Sequence, residues 1–132
     1  MNRLAPTILL GGAAILAVYG IVMLVEPSVL RALVGLDFTS VNAPTEIRAF
    51  YGGLELGIAA FLFICGRNPA LVPVGLLFSA LAFSFAGGAR LLGVLQYGAE
   101  GVSQPVVAVV EMTFAALCAW ARRPNTSRVE QS

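Results

Sequence analysis

Residues 46–57 read EIRAFYGGLELG, a stretch that opens a long apolar segment yet carries Glu46, Arg48 and Glu55. On a helix, Arg48, Tyr51, Gly52 and Glu55 share one face at spacings of three and four. Ala49, Gly53, Gly57 and Ala60 fall on the opposite face, and Gly53-x-x-x-Gly57 is the small-residue pattern of close helix packing in lipid. A helix with a polar face and a small face has little surface left for acyl chains. This segment is therefore expected to be the central helix of a membrane bundle.

Composition sets the solvent. Of 132 residues, 58% are hydrophobic and 11% charged, with a mean hydropathy of +0.88. A soluble domain of this length needs far more charge to cover its surface, so the chain is read as one all-α domain whose solvent is a bilayer. The net charge of +1 offers no field for nucleic acid or acidic substrates. All eight basic residues are Arg, and His is absent. That removes an imidazole base, a Ser-His triad, and His ligation of metal or haem. Cys65 and Cys118 lie inside apolar segments without metal-like spacing and read as small buried hydrophobes. No Gly-rich pair opens a βαβ unit, so no dinucleotide fingerprint is present. No cofactor or metal is expected.

Four apolar segments are long enough to cross, each near the roughly 20 residues that a ~30 Å hydrocarbon core requires. They cover residues 5–25, 45–65, 70–95 and 105–121. Glu26-Pro27, Gly66-Arg67-Asn68-Pro69 and residues 96–104 punctuate them, and Pro105 suits a first helical turn. The first apolar run is longer than the core of a signal peptide and is read as a retained span. Arg3, Arg67, Arg122, Arg123 and Arg128 gather on one set of ends, against Arg31 and Arg48 on the other. The positive-inside rule then puts both termini in the cytoplasm of a multi-pass inner-membrane protein, with residues 122–132 as a flexible tail. In the first outer loop, Val29, Leu30, Leu33, Val34 and Leu36 cluster around Arg31 and Asp37. They read either as a short interfacial helix capping the bundle or as an ordered loop. Tyr97 and Trp120, near opposite ends, suit interfacial anchors.

Three charges fall within spans two to four: Glu55, Arg90 and Glu111. Each costs roughly 2.5–3.5 kcal/mol at a helix centre, so such residues face protein and find partners. Counted at the helical rise, they lie ~13, ~7 and ~9 Å from the outer ends of their helices, in the same half of the bilayer. Ala86, Gly87 and Gly93 surround Arg90, and Gln104, Ala108, Ala115 and Cys118 surround Glu111; both faces admit a neighbouring helix. Two arrangements are open. In one, Arg90 bridges both carboxylates as a structural clamp. In the other, Glu55, Arg90 and Glu111 form a polar pocket in which a proton shared between acids acts on a lipophilic molecule. Arg48, Tyr51, Gly52, Tyr97 and Gln104 are the expected ligand-binding residues around it. Helix one adds Gly12, Ala13 and Gly20 for packing, and the Tyr19 hydroxyl.

The run EIRAFYGGLELGIAAF, then GGARLLGVLQYG, then an apolar helix bearing Glu111, resembles the bacterial four-helix membrane family known as domain of unknown function 4345, a relative of the DoxX-like proteins. The most specific part is R-A-x-Y-G-G-x-x-x-G, residues 48–57, with Gly88 and Arg90 second. The resemblance extends over most of residues 27–120. It implies a four-span bundle and no activity.

Three functional readings follow. The first is a membrane module that binds a lipophilic small molecule or assembles as a homo-oligomer or with another membrane protein. The second is an acid–base enzyme that opens an epoxide or shifts a double bond in a hydrophobic substrate, with Glu55 and Glu111 as acid and base and Arg90 tuning them. The third is a small proton-coupled exporter, against which Arg90 counts because a fixed positive charge repels cations.

Overall fold

The computed structural model describes residues 4–35, 39–99 and 101–123. In order they form α1 (Leu4–Val25), α2 (Val29–Val34), α3 (Ala43–Ile47), a π-helical segment (Arg48–Leu54), α4 (Glu55–Arg67), α5 (Val72–Tyr97) and α6 (Ser103–Ala121). The α3, π and α4 pieces make one continuous helix, Ala43–Arg67. With it, α1, α5 and α6 are the four helices long and apolar enough to cross a membrane, each end within two residues of the span read from hydropathy. The expected flexible tail beyond Arg123 lies outside the described residues.

Local chemistry explains the breaks. Asn68 takes an extended conformation (φ −112°, ψ 110°), as a residue before proline must, and its side chain accepts the Ala70 N–H at 3.1 Å. Pro73 then sits in the first turn of α5, where its missing N–H costs nothing. Gly98 ends α5 with φ 79°, a left-handed conformation that suits glycine. The helices alternate in direction, so both ends of the four-helix unit meet: Ala5 of α1 and Ala121 of α6 join one apolar cluster.

Packing divides the bundle into two tight pairs, α1 along the Ala43–Arg67 helix and α5 along α6, with thinner contact between pairs. Aromatic rings close the seam. Phe61 and Phe78 meet edge to face at 5.1 Å, and Phe114 packs on Phe83 at 4.9 Å while its tip seats on Gly12. At the terminal end the core is apolar and drawn from all four long helices, with Leu9, Leu62, Leu76, Cys65 and Cys118 fully buried. Both cysteines there are free thiols. At the other end a smaller cluster joins Met23, Leu30 and Ile47. Side chains such as Ile15, Val18, Phe85, Leu95 and Val109 point outward, which only an apolar solvent tolerates.

The first loop does form a short helix. Leu30 of α2 is buried against Met23 and Ile47, and α2 touches α1 and α6, closing that end of the bundle. Leu33 stays exposed, and Leu36 and Asp37 lie outside the described residues.

Just before α2, Glu26 accepts hydrogen bonds from the Ser28 hydroxyl and backbone N–H. The Ser28 hydroxyl is the main cause that holds the Glu26 carboxyl below its ordinary 4.5, followed by the Ser28 N–H, with Arg48 assisting through its charge. Because the folded value is depressed, the contribution of this turn is complete above the ordinary value and fades as pH falls through the folded one. A carbon-13 titration of Glu26 should therefore give a midpoint below 4.5, and Ser28→Ala should return it toward 4.5. A midpoint unmoved by that substitution would contradict the assignment.

Candidate functional site

The two ends of the bundle are apolar clusters, and the polar side chains gather between them on the α2 side. Arg90 lies seven residues before the end of α5, and Glu111 eight residues into α6. Their helices approach closely at Gly87, one turn before Arg90. A Cβ there would stand 3.0 Å from Met112 Cγ and 3.2 Å from Glu111 Cβ. That approach lets the guanidinium take Glu111 with two parallel bonds: Nε donates to Oε2 at 3.1 Å and Nη2 to Oε1 at 3.1 Å. The third side of the fork, Nη1, donates to Gln104 Oε1 at 2.7 Å. Gln104 and Glu111 stand two turns apart on one face of α6, and Arg90 spans them. The pair is sheltered, with side-chain exposures of 29% for Arg90 and 14% for Glu111.

Glu55 does not enter this fork. Of the two arrangements left open by the sequence, the one in which Arg90 bridges both carboxylates is not formed: Arg90 takes Glu111 and Gln104, and Glu55 has no hydrogen bond or ion pair among the described residues. The reason is topological: Glu55 belongs to one tight helix pair, and Arg90 and Glu111 to the other. Across the thin seam between them the groups are still close. The Tyr19 hydroxyl stands within electrostatic reach of Glu55, Tyr51, Arg90 and Glu111, and Glu55 within that of Glu111. Five side chains from all four long helices thus gather there: Arg90 and Glu111 as a bonded pair, Glu55 near them, and Tyr19 and Tyr51 as phenols.

The π-helical turn decides which of the remaining residues join. Its hydrogen bonds span five residues, so each turn holds more residues than an α turn, and the faces read from α spacing come apart. Arg48 was expected beside Glu55. It turns instead to the end of α1, where its Nε donates to the Leu24 carbonyl at 3.0 Å, one of the carbonyls that α1 leaves unsatisfied. Gly52 was expected to line the ligand site, but it is buried as a contact for α1: a Cβ would stand 3.2 Å from both Leu24 Cα and Leu24 N. The small face is corrected as well. Within the π-helical segment the packing glycine is Gly52, while Ala49, Gly53, Gly57 and Ala60 all face outward, with nothing within 4 Å of a Cβ at Gly57. Tyr97, 86% exposed at the end of α5, stands apart from the cluster. Tyr19 is the member that sequence spacing singled out least. Its only signal was a hydroxyl in an otherwise apolar span.

Beside Arg90, a cleft of about 410 Å³ opens between α5 and α6, with Arg90 and Gln104 in its wall. Among the described residues no group of three acidic or thiol side chains is placed to hold a metal ion.

The family described as Domain of unknown function (DUF4345) matches residues 5–122. Neither a curated protein nor a solved structure matches the chain.

Proposed function

Since the chain belongs to the DUF4345 family, which carries no assigned reaction, we propose that it binds a lipophilic small molecule from the bilayer at the Glu55, Arg90 and Glu111 seam. One observation carries this reading: Glu55 is a half-buried carboxylate in a spanning helix without a protein partner among the described residues, beside an Arg–Glu pair that is already satisfied. An intramembrane acid costs a few kcal/mol unless something meets it. A bound molecule's polar end, seated between Glu55, Tyr19 and Tyr51, supplies that partner. Arg90 and Glu111 form the fixed wall.

Were the bound molecule reactive, Glu55 is the group free to pass a proton, with Tyr51 and Tyr19 as neighbouring hydroxyls. That is the enzyme reading, epoxide opening or double-bond migration, now resting on Glu55 rather than on an exchange between two acids. The exporter reading has no observation of its own, since the guanidinium that counted against a cationic substrate is itself paired with Glu111. A second reading, assembly with another copy or another membrane protein, has its own observation. The outward stripe of Ala49, Gly53, Gly57 and Ala60 adjoins a groove of about 530 Å³ along α1. The proposed setting is the bacterial inner membrane with both termini cytoplasmic, supported by the arginine distribution. Reporter fusions at each terminus test it.

Glu55→Gln is the decisive variant. It keeps the shape and removes the charge, so the protein should retain its thermal transition in detergent. Co-purifying lipophile, read by mass spectrometry of gently extracted protein, should fall at least ~10-fold, the effect of losing one charge-assisted hydrogen bond. Equal ligand content in the wild type and the variant would overturn the assignment of the seam.

A further inference from the structure

Resting on the lipophile-binding reading above, we infer that the α5–α6 cleft admits an uncharged lipophile by its carbonyl oxygen, received by the free N–H donors of Arg90 and Gln104. The cleft holds about 410 Å³ and is walled by Ala86, Ala89, Gly93, Val94 and Gly98, with Arg90 and Gln104 as its polar side chains. The N–H groups that these two side chains leave free are donors. A guanidinium carries five N–H groups and no acceptor. Three of Arg90's are spent on Glu111 and Gln104, leaving one on each terminal nitrogen unengaged among the described residues. Gln104 has turned its oxygen to Arg90, since an arginine can only donate, so its NH2 group is the part left over. Both Glu111 oxygens already accept from Arg90.

Free donors favour an acceptor. A carbonyl oxygen takes them without bringing a proton of its own, whereas a hydroxyl or amine brings one that must find its own partner or be left unsatisfied. Charge narrows the class further. Arg90 is neutralised by Glu111 at 3.1 Å, so an anion gains little net attraction for the desolvation it undergoes. A ketone, aldehyde or ester oxygen gains two or three N–H donors and gives up far less hydration. The apolar walls accept the adjoining hydrocarbon, and Ala86 and Ala89 are exposed on a stretch of α5 that also presents Phe85 and Leu92 outward, so entry is from the acyl region. The carbonyl would then rest against Arg90 and Gln104, apart from Glu55 and the tyrosines, which do not line the cleft.

The test uses the full chain in phosphatidylcholine vesicles with a 4-alkylbenzophenone, an uncharged aryl ketone that cross-links on illumination, mapped by peptide mass spectrometry. Labelling is expected in residues 86–98 and 102–108. A long-chain dialkyl ketone should compete it, and an alkane of equal length should not. Gln104→Leu should weaken competition by about 10-fold, the worth of one hydrogen bond to a charged or polarised site. Gly93→Leu should abolish labelling while the fold persists, because a Cβ at Gly93 meets nothing within 4 Å and the larger side chain fills the cleft. Equal competition by the alkane, or displacement by phosphatidylglycerol and not by the ketone, overturns carbonyl recognition. Ketone-competed labelling confined to the Tyr19, Tyr51 and Glu55 side overturns the cleft but leaves the lipophile site standing. Absence of any competed labelling overturns carbonyl recognition in the cleft, and the seam is then decided by Glu55→Gln alone.

Discussion

Glu111→Leu is expected to destabilise the bundle by about 3 kcal/mol, the lower end of what breaking a buried ion pair costs, because it strands a guanidinium that keeps only Gln104. The lower end applies since Arg90 retains 29% exposure. Arg90→Met should cost a similar amount by stranding Glu111. The informative variant is the double one, Arg90→Met with Glu111→Leu. Two apolar side chains of similar volume across an interface that Gly87 already holds tight leave no charge unpaired, so most of the lost stability should return. Denaturation in mixed micelles, followed by helix content, gives the three free energies. If the double variant is no more stable than the worse single one, the pair is not an energetic unit and its two-pronged geometry carries no weight. The same set separates structure from function: the double variant should fold and still fail to hold ligand at the seam.

Gly52→Val should be the most damaging single change on the other helix pair. A Cβ at position 52 would lie 2.9 Å from Leu24 Cγ and 3.2 Å from Leu24 Cα and N. A side chain can rotate away; the backbone of α1 cannot. The contact is reciprocal, since a Cβ on Gly20 would lie 3.0 Å from the Gly52 carbonyl oxygen and 2.9 Å from Leu56 Cγ. Overpacking of this kind costs about 1–3 kcal/mol for one methyl and more for a branched side chain. The separation of α1 from the π-helical segment would also move Arg48 from the Leu24 carbonyl, adding a lost bond. Gly57→Ala is the control. It faces open space, so the substitution should be neutral or stabilise the helix by up to ~1 kcal/mol. Equal loss in both variants would mean that the outward face is packed too, and would favour the assembly reading.

Much of this protein is written in hydropathy. A run of apolar residues either reaches across a hydrocarbon core or does not, and the proline, glycine and asparagine breaks between runs act locally, so four spans, their ends and their alternation follow without knowledge of any contact. So does the scarcity of interior charge, which singled out Glu55, Arg90 and Glu111 because lipid leaves an isolated charge nowhere to go. The tertiary structure alone decided how they combine. Three charges at similar depth permit several pairings, and helix pairing chose one, giving Arg90 to Glu111 and Gln104 and leaving Glu55 alone across the seam. It also decided which of two adjacent glycines packs. Gly52 and Gly53 are chemically identical, and the π turn that separates Arg48 from Glu55 depends on hydrogen bonds five residues apart, a choice set by the fit of α1 against that segment rather than by any local preference.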